Sequence, residues 1–245
     1  MTSKKIMNVN INYEYIDIHS DITIVLLHGW GQNISMMRPI GDDLKNKYNV
    51  LMVDLPGFGN SEEPNYSWDI YDYVVCLRKL IKFLKLDKII LVGHSFGGRI
   101  ALVYASKYHV YKLVCFASPY CSEIKKLPLS SRIYKRIKQI KCLNWLAEII
   151  KKYVGSEDYK NAGGVMREIL VKVVNQNIAV DIKKIKAPTL LIWGSLDTAV
   201  PINRAYEIRS MIKDSAVIVY NGASHYAYLE RINQVISVLD VFFSG

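Results

Sequence analysis

Val9, Ile11, Tyr13 and Tyr15 alternate with polar neighbours, the period of a strand with one face toward a core and one toward water. Thr23 to Leu27 and Val50 to Val53 are short continuous apolar runs, as strands buried on both sides require. Ser67 predicts the cap of a helix from Trp68 to about Leu84, with Tyr73, Val74, Leu77, Leu80 and Ile81 on one face. Lys88 to Val92 predicts the next buried strand, Arg99 to Lys107 a helix, and Lys112 to Phe116 another strand. Strands that alternate with helices point to a parallel sheet covered on both sides.

The alternation stops after residue 118. A basic helical stretch is expected from Ser130 to about Tyr153, ended by Gly155, and a further helix over Val165 to Val174. Strand signals return at Thr189 to Trp193 and Ala216 to Tyr220, and a closing helix spans about Asn233 to Phe242. Residues 1–118 and 187–245 therefore read as one core, and residues 119–186 as a small helical insert, a lid placed before the last two strands. The net charge is +10, and fifteen basic against six acidic residues between Pro119 and Lys186 account for +9 of it. Lys135, Arg136, Lys138, Lys141, Lys151 and Lys152 of this insert offer a docking surface for an acidic carrier protein or an anionic membrane. The segment has no nucleic-acid recognition motif, and its few aromatics form no stacking platform.

Composition narrows the classes further. With 51% hydrophobic and 22% charged residues over 245 positions, the chain has material for one sizeable core and is not a disordered polymer. No apolar run reaches the roughly 20 residues of a membrane span, and the first twelve residues carry no signal-peptide pattern. Cys76, Cys115, Cys121 and Cys142 are scattered without disulfide or metal-ligand spacing. The expected location is the cytoplasm.

The chemistry is concentrated at Gly93-His-Ser-Phe-Gly97, a G-x-S-x-G string between a predicted strand and a predicted helix. Such a turn needs glycines where backbones approach and holds a serine hydroxyl at the sheet's edge. A serine is a weak nucleophile until a base takes its proton and an acid orients the base. Asp197, just past the strand ending at Trp193, and His225, just past the last strand, stand where the third and second members belong. All three fall at the carboxyl ends of strands, where open α/β sheets bind ligands. Backbone N–H groups of Phe96 and Trp30 are the expected oxyanion donors, and Trp30, Phe96 and Tyr226 the expected substrate contacts. His28 precedes Gly29 at a strand end and is expected to shape that loop. His19 and His109 follow no motif, and His94 holds the variable second position of the pentapeptide.

His28-Gly-Trp-Gly31, Asp54-Leu-Pro-Gly-Phe-Gly-Asn-Ser61, Gly93-His-Ser-Phe-Gly97, Trp193-Gly-Ser-Leu-Asp197 and Ser224-His225 together resemble the α/β-hydrolase superfamily. The resemblance implies an α/β-hydrolase fold: a mostly parallel, eight-stranded sheet flanked by helices, with a Ser95-His225-Asp197 triad and no metal or organic cofactor. Serine at the elbow separates the chain from dehalogenases and epoxide hydrolases, which carry aspartate there. The combination of motifs is similar to the carboxylesterases that demethylate pimeloyl-acyl carrier protein methyl ester. That likeness implies hydrolysis of an ester with a small to medium acyl chain, presented free or on an acidic acyl carrier protein. Carbon–carbon bond hydrolases and lyases of the same fold, the latter suggested by Arg99, are the alternatives, together with a ligand receptor that keeps its triad without turnover.

Overall fold

The computed structural model describes residues 2–121 and 163–245. The helix expected over 130–153 and the six basic residues named within it lie outside the described residues. Eight strands form one sheet: β1 (Thr2–Ile6), β2 (Val9–Ile16), β3 (Thr23–Leu27), β4 (Asn49–Val53), β5 (Ile89–His94), β6 (Lys112–Phe116), β7 (Thr189–Gly194) and β8 (Ser215–Tyr220). Their order is β1-β2-β4-β3-β5-β6-β7-β8. β2 runs antiparallel to both neighbours, and every other pair is parallel.

The helices among the described residues are α1 (Arg38–Leu44), α2 (Ile70–Phe83), α3 (Phe96–Lys107), α4 (Gly164–Asn175), α5 (Ala179–Ile182), α6 (Asn203–Met211), α7 (Ala227–Glu230) and α8 (Ile232–Ser244). Successive strand residues point to opposite faces, so the continuous apolar runs feed two cores. Val25, Leu27, Leu51 and Leu91 pack under α2, α3, α4 and α6. Ile24, Leu26, Val50 and Ile90 pack with α1 and α8 on the other side.

Two local expectations are corrected. Asp69, not Ser67, caps α2: its carboxylate accepts the Tyr71 and Asp72 N–H groups, and the Asp72 carboxylate accepts the Asp69 N–H at 2.9 Å. This reciprocal pair satisfies donors that a helix start leaves open. α3 begins at Phe96 rather than Arg99, because the glycine-rich turn delivers the chain directly into the helix. β1 carried no hydrophobic signal. It is a polar edge strand joined to β2 through Met7 and Asn8, both at positive φ (53° and 63°), the twist a two-residue hairpin needs.

Candidate active site

The turn between β5 and α3 is built by close approach. A Cβ on Gly97 would strike the carbonyl oxygens of Leu27 and His28, and one on Gly93 would lie 2.5 Å from the Gly97 carbonyl. With those positions limited to glycine, Ser95 takes φ 49° and ψ −109°, a conformation L-residues rarely adopt. Its N–H donates to the Phe116 carbonyl at 2.8 Å, which locks the turn to β6. Phe96 opens α3, so its N–H has no carbonyl one turn back inside the helix and faces outward at the positive end of the dipole.

The loop after β7 holds Asp197. Asp197 has a fully buried side chain whose Oδ1 accepts the Ala199 and Val200 N–H groups at 2.9 and 2.8 Å. Its Oδ2 lies 2.7 Å from His225 Nδ1. A carboxylate only accepts, so the imidazole proton sits on Nδ1 and Nε2 is left with its lone pair.

The loops after β7 and β8 are zipped together. Ser195 N–H donates to the Tyr220 carbonyl, Leu196 N–H to the Ala223 carbonyl, and Gly222 N–H to Ser195 Oγ. A side chain on Gly194 would run into the Ala223 and Ser224 carbonyl oxygens. Glu230 fastens the far side by accepting the Ser224 N–H at 2.9 Å and the Ser224 hydroxyl.

Two of the three expected residues are thus in direct contact. The residue before Ser95, His94, has its ring centroid 4.8 Å from that of His225. Among the described residues the Ser95 hydroxyl accepts no hydrogen bond and donates none. Catalytic hydrogen bonds of this kind commonly tighten only when substrate is present.

Trp30 and Phe96 meet edge to face with centroids 5.2 Å apart, and Phe58 closes the group at 4.8 Å from Trp30. Tyr73 from α2 backs Phe96 at 5.0 Å. These rings make an apolar wall beside the elbow. Sequence reasoning did not single out Phe58, although the D-L-P-G-F-G string that carries it was in view.

The other residues of that string serve the scaffold. Asp54 is buried, and its carboxylate accepts the Ile34 N–H, the Asn60 N–H and the Asn12 amide. His28 shapes its loop as expected: Nε2 accepts the Leu55 N–H at 2.9 Å and Nδ1 donates to the Gly29 carbonyl at 2.7 Å. Burial pushes its pKa down to about 4. Burial, and then the charge of a protonated His225, push His94 down to about 3.

Tyr226 is exposed beside the imidazole, 5.5 Å between centroids, and its hydroxyl accepts the Gln32 amide N–H at 3.3 Å. His19 and His109 are exposed and stand apart from this constellation. Arg99, one helical turn beyond Ser95, is buried and donates to the Gln176 carbonyl after α4. No group of three or more His, Cys, Asp or Glu side chains converges as a metal site among the described residues.

A family model described as the alpha/beta hydrolase fold matches residues 22–130, the stretch that carries the elbow and the Trp30 loop. The chain has the α/β-hydrolase fold and is similar to members of that superfamily. A proline iminopeptidase of Saccharolobus solfataricus is 26% identical over 98% of this chain and 90% of its own. A pimeloyl-[acyl-carrier protein] methyl ester esterase of Legionella pneumophila is 25% identical over 93% and 98%. In structure, a meta-cleavage product hydrolase from Pseudomonas fluorescens superposes on the whole chain and 97% of its own, with a TM-score of 0.76 at 20% identity. The family match and the hydrolase relatives support an enzyme of the hydrolase class. The relatives differ in what they cleave, so the fold does not name the substrate. No described helix is long and apolar enough to cross a membrane.

Proposed function

We propose that this α/β-hydrolase cleaves carboxylic esters of small to medium acyl chain through an acyl-enzyme on Ser95. The observation that carries the reading is the 2.7 Å contact of His225 Nδ1 with a fully buried Asp197 carboxylate, set beside a serine held at positive φ. Asp197 fixes the tautomer in which His225 Nε2 is a base. That nitrogen takes the Ser95 proton as Oγ bonds to the ester carbonyl carbon, and Asp197 steadies the imidazolium that results. The N–H groups of Phe96 and Trp30 hold the oxyanion. His225 then gives its proton to the departing alkoxide, which leaves as the alcohol. In the second half, His225 takes a proton from water, hydroxide adds to the acyl carbon, and the acid departs as Ser95 regains its proton.

The aromatic wall of Trp30, Phe58 and Phe96 suits an acyl chain better than a charged one, since it offers apolar area and no counter-charge. The similarity to the Legionella esterase supports a carrier-linked ester as one form of substrate. In that reading residues 119–186 are the lid, and Lys135, Arg136, Lys138, Lys141, Lys151 and Lys152 dock an acidic acyl carrier protein. Lys184 and Lys186 take no part in such docking. They line a groove with Lys107 and His109 at the other end of α3 from Ser95, about 18 Å along a twelve-residue helix.

Incubation with a panel of esters, free and carrier-bound, tests the proposal. Turnover that disappears in Ser95→Ala, together with loss of fluorophosphonate labelling, is the expected result. Full activity in Ser95→Ala would overturn it, and stoichiometric binding without turnover would make the chain a receptor.

A further inference from the structure

The hydrolytic steps leave one buried polar ring without a role. His94 is fully buried, yet it follows no hydrophobic pattern and occupies the variable position of the elbow. Its Nε2 lies 3.2 Å from the backbone carbonyl of His225, and its Nδ1 lies 3.2 Å from Gln32 Oε1. Gln32 sits in the loop that carries Trp30. Its Oε1 accepts the Gly29 N–H at 2.9 Å, and its amide N–H reaches the Tyr226 hydroxyl. A Cβ on Gly29 would come within 2.9 Å of both the His94 ring and Gln32 Oε1, so this glycine leaves the room the pair occupies. Tyr228, stacked on Phe116, closes the opposite side with its ring 4.8 Å from that of His94.

A neutral imidazole has one proton for these two acceptors. Gln32 Oε1 already holds the Gly29 N–H, whereas the His225 carbonyl has no other donor among the described residues. The proton therefore belongs on Nε2, directed at the peptide of the catalytic imidazole. The Nδ1 contact carries a proton only in the other tautomer.

We infer that His94 is a positioning residue that fixes the His225 peptide against the elbow and so sets the reach of the imidazole to Ser95. Gln32, whose Oε1 accepts the Gly29 N–H and whose amide N–H reaches the Tyr226 hydroxyl, ties the loop of the Trp30 donor to the residue after His225. This deepens the ester-hydrolase reading and rests on it for its assay. Small errors in such registration are costly, since displacing a catalytic group by about 1 Å can lower turnover on the order of a hundredfold.

The test compares His94→Leu, His94→Gln and Gln32→Leu with the unaltered enzyme on a chromogenic short-chain ester, with kcat and KM separated and thermal midpoints recorded. His94→Leu is expected to lower kcat about 10- to 100-fold with KM changed by less than about twofold. His94→Gln, which returns an N–H donor at the reach of Nε2, should recover at least about a tenfold part of that loss. Gln32→Leu, at a half-exposed position, should fall between the two. Unchanged kcat in His94→Leu overturns the inference, and so does a His94→Gln variant that folds and is no better than His94→Leu. If His94→Leu does not fold, unchanged kcat in Gln32→Leu overturns it. An unaltered enzyme that turns over no ester sinks the hydrolytic reading instead. The positioning role is then read from the His225 ring resonances, which Gln32→Leu and His94→Leu must shift more than His94→Gln does; unshifted resonances would refute it.

Discussion

Asp197 meets His225 through one carboxylate oxygen while two backbone N–H groups occupy the other. The carboxylate therefore cannot rotate away without breaking three hydrogen bonds. Its buried charge is matched by donors on both oxygens, as a buried carboxylate must be.

Asp197→Asn follows from this geometry. The amide can turn an N–H toward Nδ1, which moves the ring proton to Nε2 and removes the base. Turnover should fall by about a thousandfold or more, with a remnant from the oxyanion donors and binding. Burst kinetics with a chromogenic ester would measure it. A loss of less than tenfold would show that Asp197 does not orient His225.

Ser95→Gly should separate activity from stability. The serine is held where a Cβ is unfavourable, at a cost of about 1–3 kcal/mol, and glycine relieves it. A net gain of about 1 kcal/mol, seen as a thermal midpoint raised by a few degrees, should accompany complete loss of ester turnover. Calorimetry checks the first and a discontinuous ester assay the second. A lowered midpoint would mean that the elbow stores no strain.

Acid should weaken the fold through its buried histidines. His28 has a pKa of about 4 when folded, against an ordinary value of 6.5. The unfolded chain therefore binds the proton first as pH drops. The stability contributed by neutral His28 is complete above about pH 6.5 and drains away toward about pH 4, at about 1.4 kcal/mol per unit for each proton. His94 acts in the same direction down to about 3. Urea midpoints measured from pH 7 to 4.5 should decline, and less steeply in His28→Gln, whose stability at neutral pH is lower. Equal slopes for the two proteins would contradict the assignment.

The parts that were legible in the sequence are those where one residue type is forced locally. Gly93 and Gly97 announce a turn because nothing larger fits, and Thr23 to Leu27 announces a strand because both its faces are buried. β1 was silent because an edge strand needs no apolar face: only Ile6 of Thr2–Ile6 is buried. α6 was silent for a related reason, since just Ala205 and Ile208 of its nine residues are buried. At the start of α2, Ser67 and Asp69 are equally good caps by residue type. The acidic residue three positions after Asp69 decides between them, a signal that was present and passed over. His94 lay beyond any local reading, because its partners Gln32 on one side and His225 and Tyr228 on the other come from two distant places in the chain.

The joined exits of β7 and β8 have a mechanical meaning. With Gly194 pressed against the Ala223 and Ser224 carbonyls, Asp197 and His225 ride on one rigid platform. Relative movement at this site therefore falls to the Ser95 side and not to the platform. Attempts to retune the enzyme would do best to leave the platform alone and to reshape what faces it.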